Sequence, residues 1–169
     1  MTIQEKIDAL KKEFENKIAE LEKQAKAEEQ SRVFKPKEGE KYWCVADYGV
    51  EWDGWNCLDE DEYRHKSGNV FKTQEEALWE EQHRIVSTEL KHFVQENDPR
   101  PIKEEDWEDF GVKKFFIRYN YEDKELWADD VYTDKVSNQV YASSEDTLQN
   151  AIKHIGEDRL KKYYFGVKE

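Results

Sequence analysis

The sequence is poor in the residues that build several common classes of protein. Its two cysteines, Cys44 and Cys57, are too few among 169 residues for a disulfide scaffold, and no C-x-x-C or Cys/His spacing suggests zinc. No apolar run approaches the roughly 20 residues of a membrane span. Charges recur every few residues from the start, unlike in a secretory signal. We therefore expect a soluble, cytoplasmic protein with neither a metal site nor a cofactor.

Motifs of the common enzyme classes are missing as well. The chain has no G-x-G-x-x-G, P-loop, G-x-S-x-G or H-E-x-x-H pattern, and its four histidines share no metal-ligand spacing. The acidic run at residues 59–62 resembles the start of a calcium loop, but it lacks Gly at the sixth position and Glu at the twelfth. The sequence therefore favours a binding protein over an enzyme.

Acidic and aromatic residues, by contrast, are abundant. The chain has 40 acidic and 27 basic residues, a formal net charge of -13 and a mean hydropathy of -1.12. Its 6 Trp, 9 Tyr and 8 Phe residues argue against a disordered chain, which would be poor in aromatic residues. The negative charge argues against direct contact with a nucleic-acid backbone and favours a partner that is itself basic.

Residues 1–32 have the pattern of one long helix. Their apolar residues follow one another in steps of 4, 3, 4, 4, 3 and 4 positions, close to an 11-residue repeat. These residues, which we call the apolar stripe, are Ile3, Ile7, Leu10, Phe14, Ile18, Leu21 and Ala25. So narrow a stripe needs a partner in water. We predict a coiled coil that joins identical chains through the first six; packing on the chain's own globular part is the alternative.

The sequence after residue 32 predicts two copies of one structural unit. In residues 33–98, an alternating stretch predicts a β-hairpin, and an acidic loop follows. A short strand at residues 70–71 then leads into a helix with Thr73 and Glu76 as its capping box. In residues 112–169, a hairpin, a short strand and a helix recur in the same order.

The two units also match in sequence, because residues 140–148 align with residues 70–78 at an offset of 70. An acidic linker, residues 99–111, separates them. We therefore predict an α+β fold in which a long N-terminal helix precedes two hairpin–strand–helix units. Each helix would cover its own small antiparallel sheet.

The negative charge is clustered in the globular part. Residues 33–98 hold 16 acidic and 8 basic residues, whereas residues 1–32 are nearly balanced, with 8 and 7. The first acidic cluster is Glu51, Trp52, Asp53, Trp55, Asp59, Glu60, Asp61 and Glu62, and the second is Glu104, Glu105, Asp106 and Trp107. We predict that both bind a basic protein surface, since aromatic side chains supply contact energy and charge steers the encounter. A solubilising surface is the alternative for each.

Three stretches resemble a known family. Residues 41–53, residues 68–77 (GNVFKTQEEA) and residues 151–167 (AIKHIGEDRLKKYYFGV) are similar to small accessory proteins of phages and prophages of Gram-positive bacteria. The resemblance covers residues 35–169. It implies a context, the cytoplasm of a bacterial host, where such proteins often inhibit defence systems, among them CRISPR nucleases. It carries over no catalytic residue.

The leading interpretation is a phage-encoded acidic inhibitor that binds the basic surface of a host defence protein. It would contact neither nucleic acid nor a membrane itself. One alternative is a non-enzymatic structural or adaptor protein assembled through its coiled coil. Another is an oligomeric sponge for a nucleotide signal, in which four arginines converge on the phosphates: Arg64, Arg84, Arg118 and Arg159.

Overall fold

The computed structural model describes residues 3–29 and 33–168, and their fold is α+β, as the sequence predicts. The helices are α1 (Ile3–Glu29), α2 (Asp59–Lys66), α3 (Gln74–Asn97), α4 (Glu145–Ile155) and α5 (Glu157–Arg159). The strands are β1 (Lys41–Ala46), β2 (Gly49–Gly54), β3 (Lys114–Asn120), β4 (Glu125–Val131) and β5 (Tyr141–Ala142). A 3-10 turn covers Glu105–Trp107, and a π-helical turn covers Leu160–Tyr164.

Strands β1 and β2 form the predicted first hairpin. They pair antiparallel with Trp43 opposite Trp52, and the chain reverses just before Gly49, whose φ of +130° favours glycine. The predicted strand at residues 70–71 is reduced to one bridge, in which Phe71 exchanges backbone hydrogen bonds of 2.8 and 2.9 Å with Trp43. Phe71 therefore pairs with β1 along the edge that does not face β2.

The second sheet has the order β4-β3-β5, with all pairs antiparallel. Tyr141 of β5 lies opposite Phe116 of β3, much as Phe71 lies beside Trp43 in the first hairpin. Alternation along β3 turns Ile117 and Tyr119 toward the core, where both are buried. The duplication of one ancestral unit stays a prediction.

The predicted capping box begins α3, and this prediction is confirmed. The Thr73 hydroxyl accepts a hydrogen bond from the Glu76 N–H, and the Glu76 carboxylate accepts one from the Thr73 N–H, both at 3.2 Å. These bonds satisfy N–H groups that have no partner within the helix. The helix ends at Asn97.

Helix α3 serves both units, which the sequence did not predict. Its N-terminal part packs on the first hairpin with Ala77 fully buried, while Val86 and Leu90 lie in a core with Leu148 of α4 and Ile117 of β3. A helix of 24 residues is about 36 Å long, more than a six-residue hairpin covers. The C-terminal half of α3 therefore helps to form the core of the second unit.

The stretch predicted as an acidic loop contains helix α2, which is a correction. Acidic residues occupy its first turn and Arg64, His65 and Lys66 its last, the arrangement that the helix dipole favours. Asp61 also accepts hydrogen bonds from N–H groups just ahead of the helix. The acidic run is thus a helix N-terminus. Among the helices of the described ranges, none is long and apolar enough to cross a membrane.

Candidate partner-binding surface

A buried polar network fixes α2 to the first hairpin. Asp61 is only 4% exposed; one of its oxygens accepts a hydrogen bond from the Tyr42 hydroxyl at 2.9 Å. The other accepts bonds from the N–H groups of Asn56 (2.8 Å) and Leu58 (3.1 Å). Burial alone would raise the pKa of Asp61, but these bonds outweigh it and hold that pKa below its ordinary value.

Arg64 closes the network from the same helix. Its guanidinium donates to the Tyr42 hydroxyl (2.8 Å), to Asp53 of β2 (2.7 Å) and to Glu60 (2.6 Å). Burial of Tyr42 disfavours the phenolate and raises the pKa of its hydroxyl to about 12. Asp53 and Glu60 are therefore paired within the fold.

Helical spacing divides α2 into an inward and an outward side. Asp61, Arg64 and His65 face the hairpin, where the His65 ring meets the Trp55 ring edge-on at 6.1 Å. The outward side carries exposed Asp59 and half-buried Glu62 beside exposed apolar groups. We call it the α2 outer face: Leu58, Asp59, Glu62 and Tyr63.

The α2 outer face combines charge with exposed apolar surface. Leu58 is 58% exposed and Tyr63 72% exposed. Asp59 is exposed, and Glu62 pairs with Lys35 at 2.8 Å. The Lys35 ammonium favours the ionised form and lowers the pKa of Glu62. Acidic groups beside exposed aromatic and aliphatic groups suit contact with a basic surface.

Both tryptophans of the first acidic cluster lie away from this face. Trp55 is only 1% exposed and meets the Tyr42 ring edge-on at 5.9 Å, so its prediction as an exposed anchor is corrected. Trp52 is 60% exposed, yet it points to the opposite side of the hairpin from Asp53 because side chains alternate along a strand. There the Lys41 ammonium lies 4.5 Å from the centres of both the Trp43 and Trp52 rings. Glu51 is exposed.

The second acidic cluster holds the linker against the second sheet. The Trp107 ring meets the Tyr141 ring at 4.9 Å, and the ammonium groups of Lys114 and Lys135 lie 5.1 and 5.4 Å from its centre. Buried Lys114 also donates to the carbonyl groups of Val112 and Tyr132. Trp107 is therefore a packing residue, because the contacts of its ring lie within the fold.

Two acids of this cluster are ion-paired. Asp106 accepts bonds from Arg100 (2.7 Å) and from the N–H of Lys103 (2.8 Å), which lower its pKa. Glu104 pairs with Lys135 at 3.3 Å, and Glu105 is exposed. Within the described ranges, no hydrogen bond, ion pair or ring contact joins the two acidic clusters. The structure thus ties them to different parts of the fold.

A groove that the sequence did not indicate lies between α3 and the C-terminal segment. Its volume is about 680 Å3, and Phe71, Trp79 and Val167 form much of its wall. Trp79 stacks on His83 with ring centres 5.4 Å apart, and His83 in turn bonds to the Tyr163 carbonyl at 2.6 Å. The π-helical turn that positions this carbonyl has no sequence signal that we recognise.

The nucleotide-sponge alternative required four arginines to converge. Each instead pairs with an acid: Arg64 with Asp53 and Glu60, Arg84 with Glu80, Arg118 with Asp129, and Arg159 with Glu89. Each guanidinium is therefore already engaged by a carboxylate, which argues against a shared phosphate site. In the part of the chain that the structure describes, no group of three His, Cys, Asp or Glu residues could hold a metal ion.

Comparison of the chain with protein-family models, curated proteins and solved structures finds no match. The resemblance to phage accessory proteins therefore stays a prediction.

Proposed function

We propose that the chain is an acidic inhibitor that docks on the basic, nucleic-acid-binding surface of a host defence protein. The observation that supports this proposal best is the α2 outer face. It places Asp59 and Glu62 beside Leu58 and Tyr63, whose side chains are more than half exposed. Charge would steer the encounter with a basic surface, and the apolar groups would contribute contact area.

The rigid support of α2 favours this role. Asp61 and Arg64 fix the helix from its inward side through Tyr42 and Asp53. A surface that is ordered before binding loses less conformational entropy on association than a flexible loop does. Eight residues could not hold a stable helix in water alone, so the network is what makes the acidic turn a defined surface.

The test is capture of proteins from a lysate of a Gram-positive host with three immobilised forms of the full chain. One form is wild type. The second carries Asp59→Asn, Glu62→Gln and Tyr63→Ala on the α2 outer face. The third is a matched control with Glu122→Gln, Glu125→Gln and Tyr121→Ala near the β3–β4 turn, where Tyr121 is 73% exposed, close to the 72% of Tyr63.

Quantitative mass spectrometry compares what each form retains. The proposal expects a nucleic-acid-binding protein that wild type and control retain and the α2 variant loses. Addition of wild-type chain should then prevent that protein from binding its nucleic acid in a gel-shift assay. Retention of the same proteins by all three forms would contradict the proposal.

Self-association through α1 is the second part of the proposal, and it would also serve a structural or adaptor protein. The supporting observation is that the large apolar residues of α1 whose side chains the structure describes, from Ile3 to Leu21, are exposed. The two roles differ in their dependence on α2. An adaptor would keep its partner when the α2 outer face is changed, whereas an inhibitor of the proposed kind would not.

A further inference from the structure

Helix α1 exposes the described members of its apolar stripe to solvent. The members whose side chains the structure describes are Ile3, Ile7, Leu10, Phe14, Ile18 and Leu21, and each is at least 40% exposed. A shallow groove of about 390 Å3 runs along the helix between Ile7 and Ile18. The globular part of the chain therefore leaves these six side chains uncovered, and an apolar stripe of this length needs a partner in water.

The spacing of the stripe reads the same in both directions. Its steps of 4, 3, 4, 4, 3 and 4 positions are symmetric about Phe14. When a second α1 runs antiparallel across a two-fold axis at Phe14, Ile7 meets Leu21 of the second copy, and Leu10 meets Ile18. Every apolar position of one helix then lies opposite an apolar position of the other, as an isologous interface requires.

The charge distribution distinguishes the antiparallel pairing from the parallel one. Residues 33–169 hold 32 acidic and 20 basic residues, an excess of 12 acidic ones, whereas residues 1–32 are nearly balanced. A parallel pair would bring two such acidic parts to the same end of α1. An antiparallel pair separates them by about 40 Å, the length of 27 helical residues. That distance is several times the Debye length of about 8 Å at physiological ionic strength.

We propose that two copies of the chain pair antiparallel through α1, with the two-fold axis at Phe14. The pair presents its two acidic globular parts at opposite ends of the helices. The consequence for binding rests on the proposed function: two α2 outer faces in one particle would engage two basic sites with an avidity that a single copy lacks. The pairing itself does not depend on any partner, so the following experiments test it separately.

Disulfide cross-linking reports whether the two α1 helices pair parallel or antiparallel. Leu10→Cys and Ile18→Cys are made separately in the full chain with Cys57→Ser, one of them with a C-terminal tag that changes its mass. Cys44 stays, because it is 1% exposed and burial raises the pKa of its thiol. The two proteins are mixed, allowed to exchange and oxidised in a glutathione buffer. Antiparallel pairing puts position 10 opposite position 18, within disulfide reach, and separates two copies of position 10 by about 12 Å along the axis.

The expected product is the mixed disulfide, with little of either homodisulfide. Homodisulfides without the mixed product would show a parallel pair, and equal yields of all three would show no fixed register; either result overturns the proposal. Light scattering should give two copies for wild type and one for Phe14→Glu. A wild-type chain that is monomeric, or a Phe14→Glu variant that still pairs, overturns it as well.

A second measurement of the orientation changes no residue of the apolar stripe. Spin labels at Lys26→Cys, again with Cys57→Ser, lie about 36 Å apart along the axis in the antiparallel pair. In a parallel pair they are separated mainly by the distance between helix axes, about 10 Å. Double electron–electron resonance should therefore give a distance dominated by the longer value. A distribution centred near the shorter one overturns the proposal even if cross-linking perturbs the helix.

Discussion

Arg64 Nη1 lies 2.7 Å from Asp53 Oδ2 and thereby ties α2 to β2. The same guanidinium donates to the Tyr42 hydroxyl, which donates in turn to Asp61. The hydrogen bonds of this network replace the bonds to water that its polar groups lose on burial. The loss of one member therefore leaves the groups that it bonds to without a partner. The acidic turn proposed to bind a partner is held in place by this network.

Asp61 is expected to be the most sensitive position of α2. Asp61→Ala removes the acceptor for Tyr42 and for two backbone N–H groups, and we expect it to lower the free energy of unfolding by about 3 kcal/mol. Chemical denaturation measures the change. The control is Asp59→Ala in the same helical turn, where the side chain is exposed and a change below about 1 kcal/mol is expected.

The contribution of Asp61 should also depend on pH. Because the folded state lowers the pKa of this carboxyl, its contribution is present above the unfolded value of about 3.9 and is lost as pH falls through the lower folded value. The difference between wild type and Asp61→Ala should therefore shrink in acid. A difference that stays constant from neutral pH to about pH 2 would contradict the assigned role.

Tyr42 gives a prediction at the other end of the pH scale. Its pKa rises from 10.0 to about 12 in the folded state, so its contribution to stability is full below pH 10 and is lost between pH 10 and 12. Wild type should lose more unfolding free energy over this interval than Tyr42→Phe does. Exposed Tyr63→Phe serves as the control and should follow wild type. Parallel curves for wild type and Tyr42→Phe would show that the hydroxyl is not buried as described.

The sequence was sufficient to predict most of the regular elements, although not helix α2, and it did not predict which elements pack together. The capping box of Thr73 and Glu76 and the alternation around Trp43 are local patterns, and both elements form as expected. The role of Asp61 could not be read in this way, because four consecutive acids look alike until helix formation turns one of them inward. Trp55 likewise lies just after a strand, and its burial against Tyr42 of β1 and His65 of α2 depends on contacts that are distant in sequence.

The shared role of α3 leads to a prediction about cooperativity. Leu90 is 1% exposed and lies in the core of the second unit, while the N-terminal part of the same helix packs on the first hairpin. Leu90→Ala should cost about 3 kcal/mol and reduce the protection of amide hydrogens in both β1 and β3. Leu78→Ala, at a position that is 43% exposed, should change the free energy of unfolding and the amide protection only slightly.

Hydrogen exchange followed by mass spectrometry distinguishes the two possible outcomes for Leu90→Ala. Loss of protection in β3 alone would mean that the units unfold independently, as the sequence-based division at residues 99–111 implies. That division could not reveal the shared helix, because the wide apolar face of α3 does not indicate which sheet it covers.

The central claim, that the α2 outer face binds a basic partner, is tested most directly by the salt dependence of that binding. The dissociation constant for the captured protein is measured by calorimetry from about 50 to 300 mM salt, a range over which screening of surface charges increases strongly. Asp59→Asn with Glu62→Gln should weaken binding at low salt and flatten its salt dependence, while Glu122→Gln with Glu125→Gln should leave both as in wild type. An α2 variant with the affinity and salt dependence of wild type would contradict the account.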